Sequence, residues 1–375
     1  MIRRKLGKVD RALDRAIEAA EMPGAVVLAR MLRDGEWLEH LSVRGLAVTR
    51  PERIPMARET IFDLASLTKV LASVSAVMLL VDEGRLVLDD PVAKLLPHFG
   101  ERDKEGVTLR HLLTHSSGLH PWRGFHELLL ERERKKGEHW IGTKAAHDWI
   151  LESICRSALV HEPGSAAVYG DLDFIVLGAV IEAVTGEPLD RFCRERIFAP
   201  FGMHETRFLR EPASEAERRR FAATENCPWR GRIVWGEVHD PNAAAMGGVA
   251  GHAGLFAPVD DVMRFATTLI DVWHGRSHLL PRERLVEFAT RQGLPPGSDW
   301  ALGWDTPAAG GSSSGRYFSA QSIGHLGFTG TSLWIDFEAE AAVAMLTNRI
   351  HLIAKKSKFT LRAEIHDLVR EAFAA

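Results

Sequence analysis

Ser66 and Lys69 are the residues of this chain whose types and spacing best support catalysis. They lie three positions apart, directly before an apolar helical pattern. Residues at this spacing share one face of a helix, so an ammonium group can lie against the hydroxyl and assist the loss of its proton. The start of a helix also favours an oxyanion, because the helix dipole is positive there. The pair therefore predicts a serine nucleophile that is activated without histidine.

Two further segments strengthen this interpretation, since a Ser-x-x-Lys match alone arises about once by chance in a chain of this length. Tyr169 is one of only 2 tyrosines in 375 residues, and it follows a Pro-Gly turn and precedes an apolar helix. His325 opens a His-Leu-Gly stretch that ends at Gly327 within a strand-like segment. We interpret Tyr169 as a catalytic candidate, and we leave open whether His325 faces substrate or only shapes the wall of a site.

With these three segments, the chain resembles the serine β-lactamase and penicillin-binding protein superfamily, on the side of the class C β-lactamases, D-alanyl-D-alanine peptidases and related esterases. The segments that carry the resemblance are 60–97, 112–119, 163–186, 239–256 and 324–336. The resemblance implies an α/β (α+β) fold, with an antiparallel sheet flanked by helices and an inserted, mainly helical domain. Strand patterns at both chain ends predict a discontinuous α/β domain (1–100 plus 240–375), a helical domain (101–239) and a cleft between them.

The resemblance also implies a role for each site residue. Ser66 would be the acylated nucleophile, Lys69 its helper and Tyr169 the general base, with the backbone N–H groups of Ser66 and Phe328 as the oxyanion hole. A lysine with its usual pKa of about 10.4 needs burial or a nearby cation to act as a base, and a tyrosinate needs an adjacent cation. We therefore expect Lys69 and Tyr169 to act as a unit. The predicted substrate-binding residues are Asp171, His325, Gly327, Asn348 and Arg349, the last as a candidate partner for a substrate carboxylate.

Two positions depart from the family pattern. Asp171 stands where Asn is usual, and an ionised Asp can only accept hydrogen bonds. His325 stands where β-lactamases carry Lys. We predict a serine hydrolase that works through an acyl-enzyme on a β-lactam or D-alanyl peptide, with a small-ester hydrolase as the alternative. A third alternative, a non-catalytic module that binds acyl ligands or peptidoglycan fragments, is disfavoured by the intact Ser66, Lys69 and Tyr169.

Composition gives no sign of a macromolecular partner. A formal charge of −3 with 26% charged residues indicates neither nucleic acid nor a membrane surface. The predicted partner is a small acyl substrate, and the oligomeric state is left open. No apolar signal-peptide core follows Met1, and the apolar stretch near residues 70–81 is shorter than the roughly 20 residues that span a bilayer. With only three cysteines, these features predict a cytoplasmic enzyme without cofactor.

Histidines outside the three segments are given structural roles. His115 is interpreted as structural, at the end of a short helix. The run from His239 to His252 could bind metal, but its spacing is irregular, so we predict no metal site and interpret its glycines as a tightly packed loop near the site.

The elements that must position these residues follow from periodicity. Helices are predicted at 6–20, from Ser66 to a stop at Gly84, at 174–184 and at 361–373, and helical patterns dominate 107–235. Strands are predicted at 24–30, after a turn at Asp34-Gly35, around 324–335 and at 342–346.

Overall fold

A six-stranded antiparallel sheet joins the two ends of the chain in the computed structural model, which describes residues 2–351 and 359–373. Its order is β3-β2-β1-β11-β10-β9, and its strands are β1 (Gly24–Arg33), β2 (Glu36–Val48), β3 (Ile54–Pro55), β9 (Ser322–Leu326), β10 (Ser332–Asp336) and β11 (Ala341–Thr347). The central pair is β1 with β11, in the register Ala25 opposite Thr347. The strand that carries His325 therefore lies at an edge of the sheet.

Both faces of the sheet are covered, which explains the nearly continuous burial of β1. Alternate residues such as Val27 and Met345 pack against the terminal helices α1 (Ile2–Glu18) and α12 (Leu361–Phe373). The intervening ones, such as Val26 and Leu28, belong to a larger core shared with the remaining helices. Because side chains alternate between the two faces of a strand, the sheet contributes to a separate hydrophobic core on each face.

The rest of the chain is mainly helical, with short strands. The further helices are α2 (Ser75–Asp82), α3 (Leu109–Leu113), α4 (Phe125–Lys136), α5 (Lys144–Cys155), α6 (Leu172–Thr185), α7 (Leu189–Cys193), α8 (Glu215–Arg218), α9 (Pro241–Ala245), α10 (Val259–Trp273) and α11 (Arg282–Ala289). The 3₁₀ segments are Val92–Lys94 and Pro97–Gly100, and the π-helical segments are Lys69–Val74 and Arg194–Phe198. The further strands are β4 (Phe62–Asp63), β5 (Arg207–Phe208), β6 (Ala223–Cys227), β7 (Arg232–Trp235) and β8 (Leu255–Ala257), in a β4-β8-β5 sheet and a β6-β7 hairpin.

The mixed α/β architecture with an antiparallel sheet is as predicted, and its details differ in three places. The helix after Ser66 contains a π-helical turn at Lys69–Val74, a feature common at functional sites and without a pattern of its own in the sequence. The apolar run around 324–335 is two strands joined by a turn. The predicted helical region also contains β5, β6 and β7, whose segments are too short to show a period. The division at residues 100 and 240 stays a prediction.

Candidate active site

Ser66 lies between a short strand and a helix. Strand β4 ends at Asp63, and Ala65 adopts a left-handed backbone conformation with φ 47° just before the serine. The Asp63 carboxylate accepts a hydrogen bond from the Ala65 N–H at 2.8 Å, and the Thr68 hydroxyl donates to the Ala65 carbonyl at 2.6 Å. A non-glycine residue in this conformation costs on the order of 1–3 kcal/mol. Local side-chain bonds thus hold a strained turn that presents Ser66 at the start of a helix.

Lys69 is fully buried and has three hydrogen-bond acceptors around its ammonium group. Its Nζ donates to Ser66 Oγ at 3.1 Å, to Asp171 Oδ1 at 2.7 Å and to the His252 carbonyl at 3.2 Å. Burial alone disfavours the charged form, but the nearby Asp171 carboxylate and the Tyr169 side chain outweigh it, so the pKa of Lys69 is raised above its usual value. Three N–H donors facing three acceptors describe a protonated lysine.

Tyr169 stands above this ammonium, with 43% of its surface exposed to the cleft. Lys69 Nζ lies 5.1 Å from the centroid of its ring. The ring stacks on Trp300 at a centroid distance of 5.7 Å and contacts His115 at 4.7 Å and His325 at 5.8 Å. The phenol is therefore fixed by aromatic neighbours on its sides and a cation beneath it.

His115 and Asp173 form a buried polar pair behind Tyr169. His115 Nδ1 lies 3.2 Å from Asp173 Oδ2, and Ser117 donates to the other oxygen of that carboxyl. Burial and the nearby Lys69 lower the pKa of His115 to about 3, while burial raises the pKa of Asp173 to about 8. The pair is thus neutral at pH 7, with the proton on Asp173. Since the ring packs on Tyr169, the structural role of His115 extends to the wall of the cleft.

His325 is buried and uncharged at the edge of the cleft. Its Nδ1 lies 2.9 Å from the Leu326 carbonyl, so this nitrogen carries the proton and Nε2 is an acceptor. Burial, and then the charge of Lys69, hold the pKa of His325 well below its usual range. The position therefore supplies no cation, in contrast to the lysine that β-lactamases carry there.

A tight turn links strands β9 and β10 and contains Gly327 and Phe328. The hydroxyls of Thr329 and Thr331 donate to the carbonyls of Asp63 at 2.9 Å and Leu64 at 3.0 Å. The turn is thereby tied to the residues just before Ser66. Neither the Ser66 N–H nor the Phe328 N–H donates to a protein acceptor in residues 2–351 and 359–373. Two backbone donors on tied segments are the arrangement that an oxyanion hole requires.

Three acidic side chains of the cleft are each paired with a base. Besides Asp171 with Lys69, Asp240 Oδ1 lies 2.9 Å from His252 Nε2, and Glu225 Oε1 lies 3.2 Å from His239 Nε2. Ligand atoms of Asp171, Asp240 and His252 lie within 4.8 Å of one another, a spacing that could hold a metal ion. All three residues already make these bonds inside the protein, so the cluster gives no independent indication of a metal.

These residues line one cleft of about 760 Å³. Seven of the predicted site residues line it directly, namely Ser66, Tyr169, Asp171, His325, Gly327, Phe328 and Arg349, and Lys69 lies beneath them. Asn348 does not line it, since its side chain is buried and donates to the carbonyls of Leu46 and Ala47 at 3.1 and 2.9 Å.

Sequence reasoning missed several members of this cleft. Trp122, Glu225, Trp300, Asp305 and Arg362 line it but lie in segments without a motif. The loop with His239, Asp240 and His252 lies at the site, as its glycines indicated. Only long-range packing brings these residues together, so composition and spacing give no signal for them.

The fold and this cleft define a protein of the serine β-lactamase and penicillin-binding protein type. Two features indicate that class: the antiparallel sheet formed by the chain ends, and the cluster of Ser66, Lys69 and Tyr169. The chain belongs to the Beta-lactamase family, whose model matches residues 9–366.

Curated relatives agree with this assignment. A protein of Escherichia coli K12 named putative D-alanyl-D-alanine carboxypeptidase is 33% identical over 309 residues, which are 78% of this chain and 70% of that protein. A Bacillus subtilis strain 168 protein named N-acetylmuramyl-L-alanine amidase is 30% identical over 381 residues, covering 93% of this chain and 82% of the relative.

Solved structures share the fold. The hydrolase EstCE1, described as having promiscuous acyltransferase activity, superposes with a TM-score of 0.75 at 24% identity and covers 98% of this chain and 99% of its own. A class C β-lactamase superposes with a TM-score of 0.73 at 15% identity, covering 99% and 98% of the two chains.

No helix in the described part of the chain is both long and apolar enough to cross a membrane. The cytoplasmic location stays a prediction.

Proposed function

We propose that this protein is a serine acyl hydrolase that works through an acyl-enzyme on Ser66. The observation that carries the proposal is the ammonium of Lys69, which donates to Ser66 Oγ at 3.1 Å and to Asp171 at 2.7 Å directly beneath the ring of Tyr169. A protonated Lys69 stabilises a Tyr169 phenolate, and the phenolate is then the group that takes the serine proton.

The steps follow from this arrangement. Ser66 Oγ attacks the substrate carbonyl carbon as its proton passes to Tyr169, and the carbonyl oxygen becomes an oxyanion facing the N–H groups of Ser66 and Phe328. The intermediate then collapses, the bond to the leaving group breaks, and Tyr169 returns the proton to the leaving group. Water then gives a proton to the same phenolate and attacks the acyl-enzyme carbonyl; the bond to Ser66 Oγ breaks, and Tyr169 returns the proton to that oxygen, which releases the acid and free Ser66.

The first candidate substrate class is an amide of a cell-wall peptide or a β-lactam. The names of the Escherichia coli and Bacillus subtilis relatives support amide substrates of this kind. Arg349, which lines the cleft, is the proposed partner for a substrate carboxylate. Gly327 shapes the wall beside it.

A small ester is the second candidate, and the two unusual positions favour it. Asp171 is committed to Lys69, and the buried His325 is neutral, so neither provides the donors that an amide and a carboxylate would use. An ester of a short acid needs only the nucleophile, the base and the oxyanion donors.

Intact-protein mass spectrometry tests the acyl-enzyme directly. We expect a fluorophosphonate to add one label to the wild-type protein and none to Ser66→Ala, with p-nitrophenyl acetate turnover lost in that variant. Ser165→Ala is the matched control, since Ser165 is an exposed serine in the loop before Tyr169. A label on another serine, or undiminished turnover by Ser66→Ala, would exclude the proposal, and an acetyl adduct from p-nitrophenyl acetate that forms but is never hydrolysed would favour a binding module.

A further inference from the structure

Arg362 contacts one of the two peptide groups whose N–H forms the proposed oxyanion hole. It lies in the first turn of α12 and lines the cleft. Its Nη2 donates to the Gly327 carbonyl at 2.6 Å, and its Nε donates to the Gly330 carbonyl at 3.4 Å. The Gly327 carbonyl and the Phe328 N–H belong to the same peptide unit, so the guanidinium touches the far end of the oxyanion donor.

Peptide geometry turns this contact into a constraint. The peptide group is planar and trans, so its C=O and N–H point in opposite directions. Holding the Gly327 carbonyl toward Arg362 therefore holds the Phe328 N–H away from Arg362. The turn adds only one other bond to this carbonyl, from the Gly330 N–H at 3.0 Å. A cation at the oxygen also withdraws charge from the peptide and makes the N–H a stronger donor.

The surroundings of Arg362 fit this task. No carboxylate lies within 4.0 Å of its guanidinium among the residues that the structure describes. The guanidinium instead lies near the Phe359 ring, 5.3 Å from its centroid, and within the described residues it donates hydrogen bonds to two carbonyls of the turn. Burial, with the nearby Arg349, lowers the pKa of Arg362 to about 10, which leaves it charged at neutral pH.

We propose that Arg362 is a positioning residue that orients and polarises the Gly327–Phe328 peptide, so that its N–H stabilises the oxyanion. This inference rests on the acyl-enzyme proposed for Ser66. In this proposal Arg362 helps to stabilise the transition state, whereas Arg349 is the proposed partner for a substrate carboxylate.

A neutral ester isolates this effect, because p-nitrophenyl butyrate has no carboxylate for an arginine to bind. We expect Arg362→Met to lower kcat about tenfold to a hundredfold, less than the roughly 10²–10³-fold cost of deleting an oxyanion donor, because the turn bond remains. KM should change less than about threefold, since ground-state binding does not use the donor. Arg362→Lys keeps a cation that can reach one carbonyl and should recover most of the loss.

A transition-state analogue separates positioning from general damage. Phenylboronic acid forms a tetrahedral adduct on the serine, so its Ki should rise across Arg362→Lys, Arg362→Gln and Arg362→Met in proportion to the fall in kcat/KM. Arg370→Met is the control on the same helix, since Arg370 pairs with Asp336 away from the cleft, and it should leave both values unchanged.

The outcomes distinguish the two proposals. Arg362 variants that fold, label at Ser66 and keep wild-type kcat would overturn the role of Arg362 alone, as would a loss confined to KM. Failure of the wild-type protein to label at Ser66 would overturn the acyl-enzyme as well. If Arg362→Met does not fold, Arg362→Gln and Arg362→Lys still decide the question through the proportionality of Ki and kcat/KM.

Discussion

At the scale of single residues, the position of one proton decides how the site would work. Lys69 faces three acceptors with its three donors, and its raised pKa keeps it charged far above neutral pH. A charged lysine cannot accept the proton of Ser66, so its contribution must be electrostatic. Besides the Asp171 carboxylate, the negative partner of Lys69 in the proposed mechanism is the Tyr169 phenolate, whose ring centroid lies 5.1 Å from Nζ.

Because Lys69 stabilises the phenolate and Tyr169 accepts the proton, we expect the effects of substituting these two residues to be strongly coupled. Lys69→Ala and Tyr169→Phe should each lower kcat/KM for an ester by at least about a hundredfold, the low end for loss of a general base. The double variant should be hardly slower than either single variant, because each change removes the same base. Steady-state kinetics of the four proteins measure this, and losses that multiply would show two independent roles.

Some contacts of the site could be predicted from the sequence and others could not. Spacing predicted the Ser66 and Lys69 pair, the scarcity of tyrosine singled out Tyr169, and the family resemblance added Asp171 and the turn that contains Phe328. The third acceptor of Lys69, the His252 carbonyl, is a backbone atom 183 positions away and has no side-chain signature. Trp300, which stacks on Tyr169, lies in a segment without any motif. Such contacts depend on tertiary packing and cannot be derived from local pattern.

At the scale of elements, the turn between β9 and β10 is positioned by close packing around Gly327. An added Cβ at Gly327 would lie 2.6 Å from the Leu64 carbonyl, a distance that real Cβ atoms do not adopt. That carbonyl precedes Ser66 by two residues, so the two proposed oxyanion donors lie on segments in direct contact. The glycine is needed here for close approach.

Gly327→Ala should therefore separate the two segments and misplace the Phe328 N–H. We expect kcat/KM for a neutral ester to fall about 10²–10³-fold, the range for loss of an oxyanion donor. Gly310→Ala is the control, because the space around an added Cβ at Gly310 is open. Circular dichroism and thermal unfolding establish that both variants fold. Full activity of Gly327→Ala would contradict the proposed contact.

Element boundaries show a second limit of the sequence. Helix α6 ends at Thr185, one residue beyond the predicted end at 184, and Gly186 with φ 72° caps it, since a glycine stop is a strong local signal. The π-helical turn at Lys69–Val74 follows instead from burial on every side, including the bond from Ser73 to the Gly251 carbonyl at 2.6 Å. Tertiary contacts set that geometry, and a hydrophobic pattern of one helix cannot encode it.

At the scale of the whole molecule, buried histidines link stability to pH. Folding moves one proton from His115 to Asp173, since an unfolded His titrates near 6.5 and an unfolded Asp near 3.9. Between about pH 4 and 6.5 this pair binds one proton in the folded protein and one in the unfolded chain. The pair therefore does not make the free energy of unfolding depend on pH in this range. His366, a buried residue of α12, differs because burial lowers its pKa to about 4 and no other group takes up its proton.

The sign for His366 follows from proton counts. Between about pH 4 and 6.5 the unfolded chain binds a proton at this residue and the folded protein does not, so stability is lost as pH falls. The loss reaches about 3 kcal/mol at pH 4, on the order of 1.36 kcal/mol for each unit. We expect His366→Gln to reduce the change in the free energy of unfolding between pH 4 and 6.5, measured by urea unfolding. This holds even if the substitution also changes stability at pH 7. His278→Gln, at an exposed histidine, should leave the slope unchanged, and equal slopes in all three proteins would contradict the assignment.

The balance of charge in the cleft sets the expected substrate preference of the whole molecule. Asp171, Asp240 and Glu225 are each paired with a base inside the protein, and His325 is neutral, so the wall that meets an amide in β-lactamases offers few donors here. We therefore expect measurable hydrolysis of p-nitrophenyl acetate or butyrate and slow or undetectable turnover of nitrocefin. Combining Asp171→Asn with His325→Lys should move the ratio of the two kcat/KM values toward nitrocefin, because it supplies an amide donor and a cation. Fast nitrocefin hydrolysis by the unmodified protein, with negligible esterase activity, would refute this assignment of the two positions.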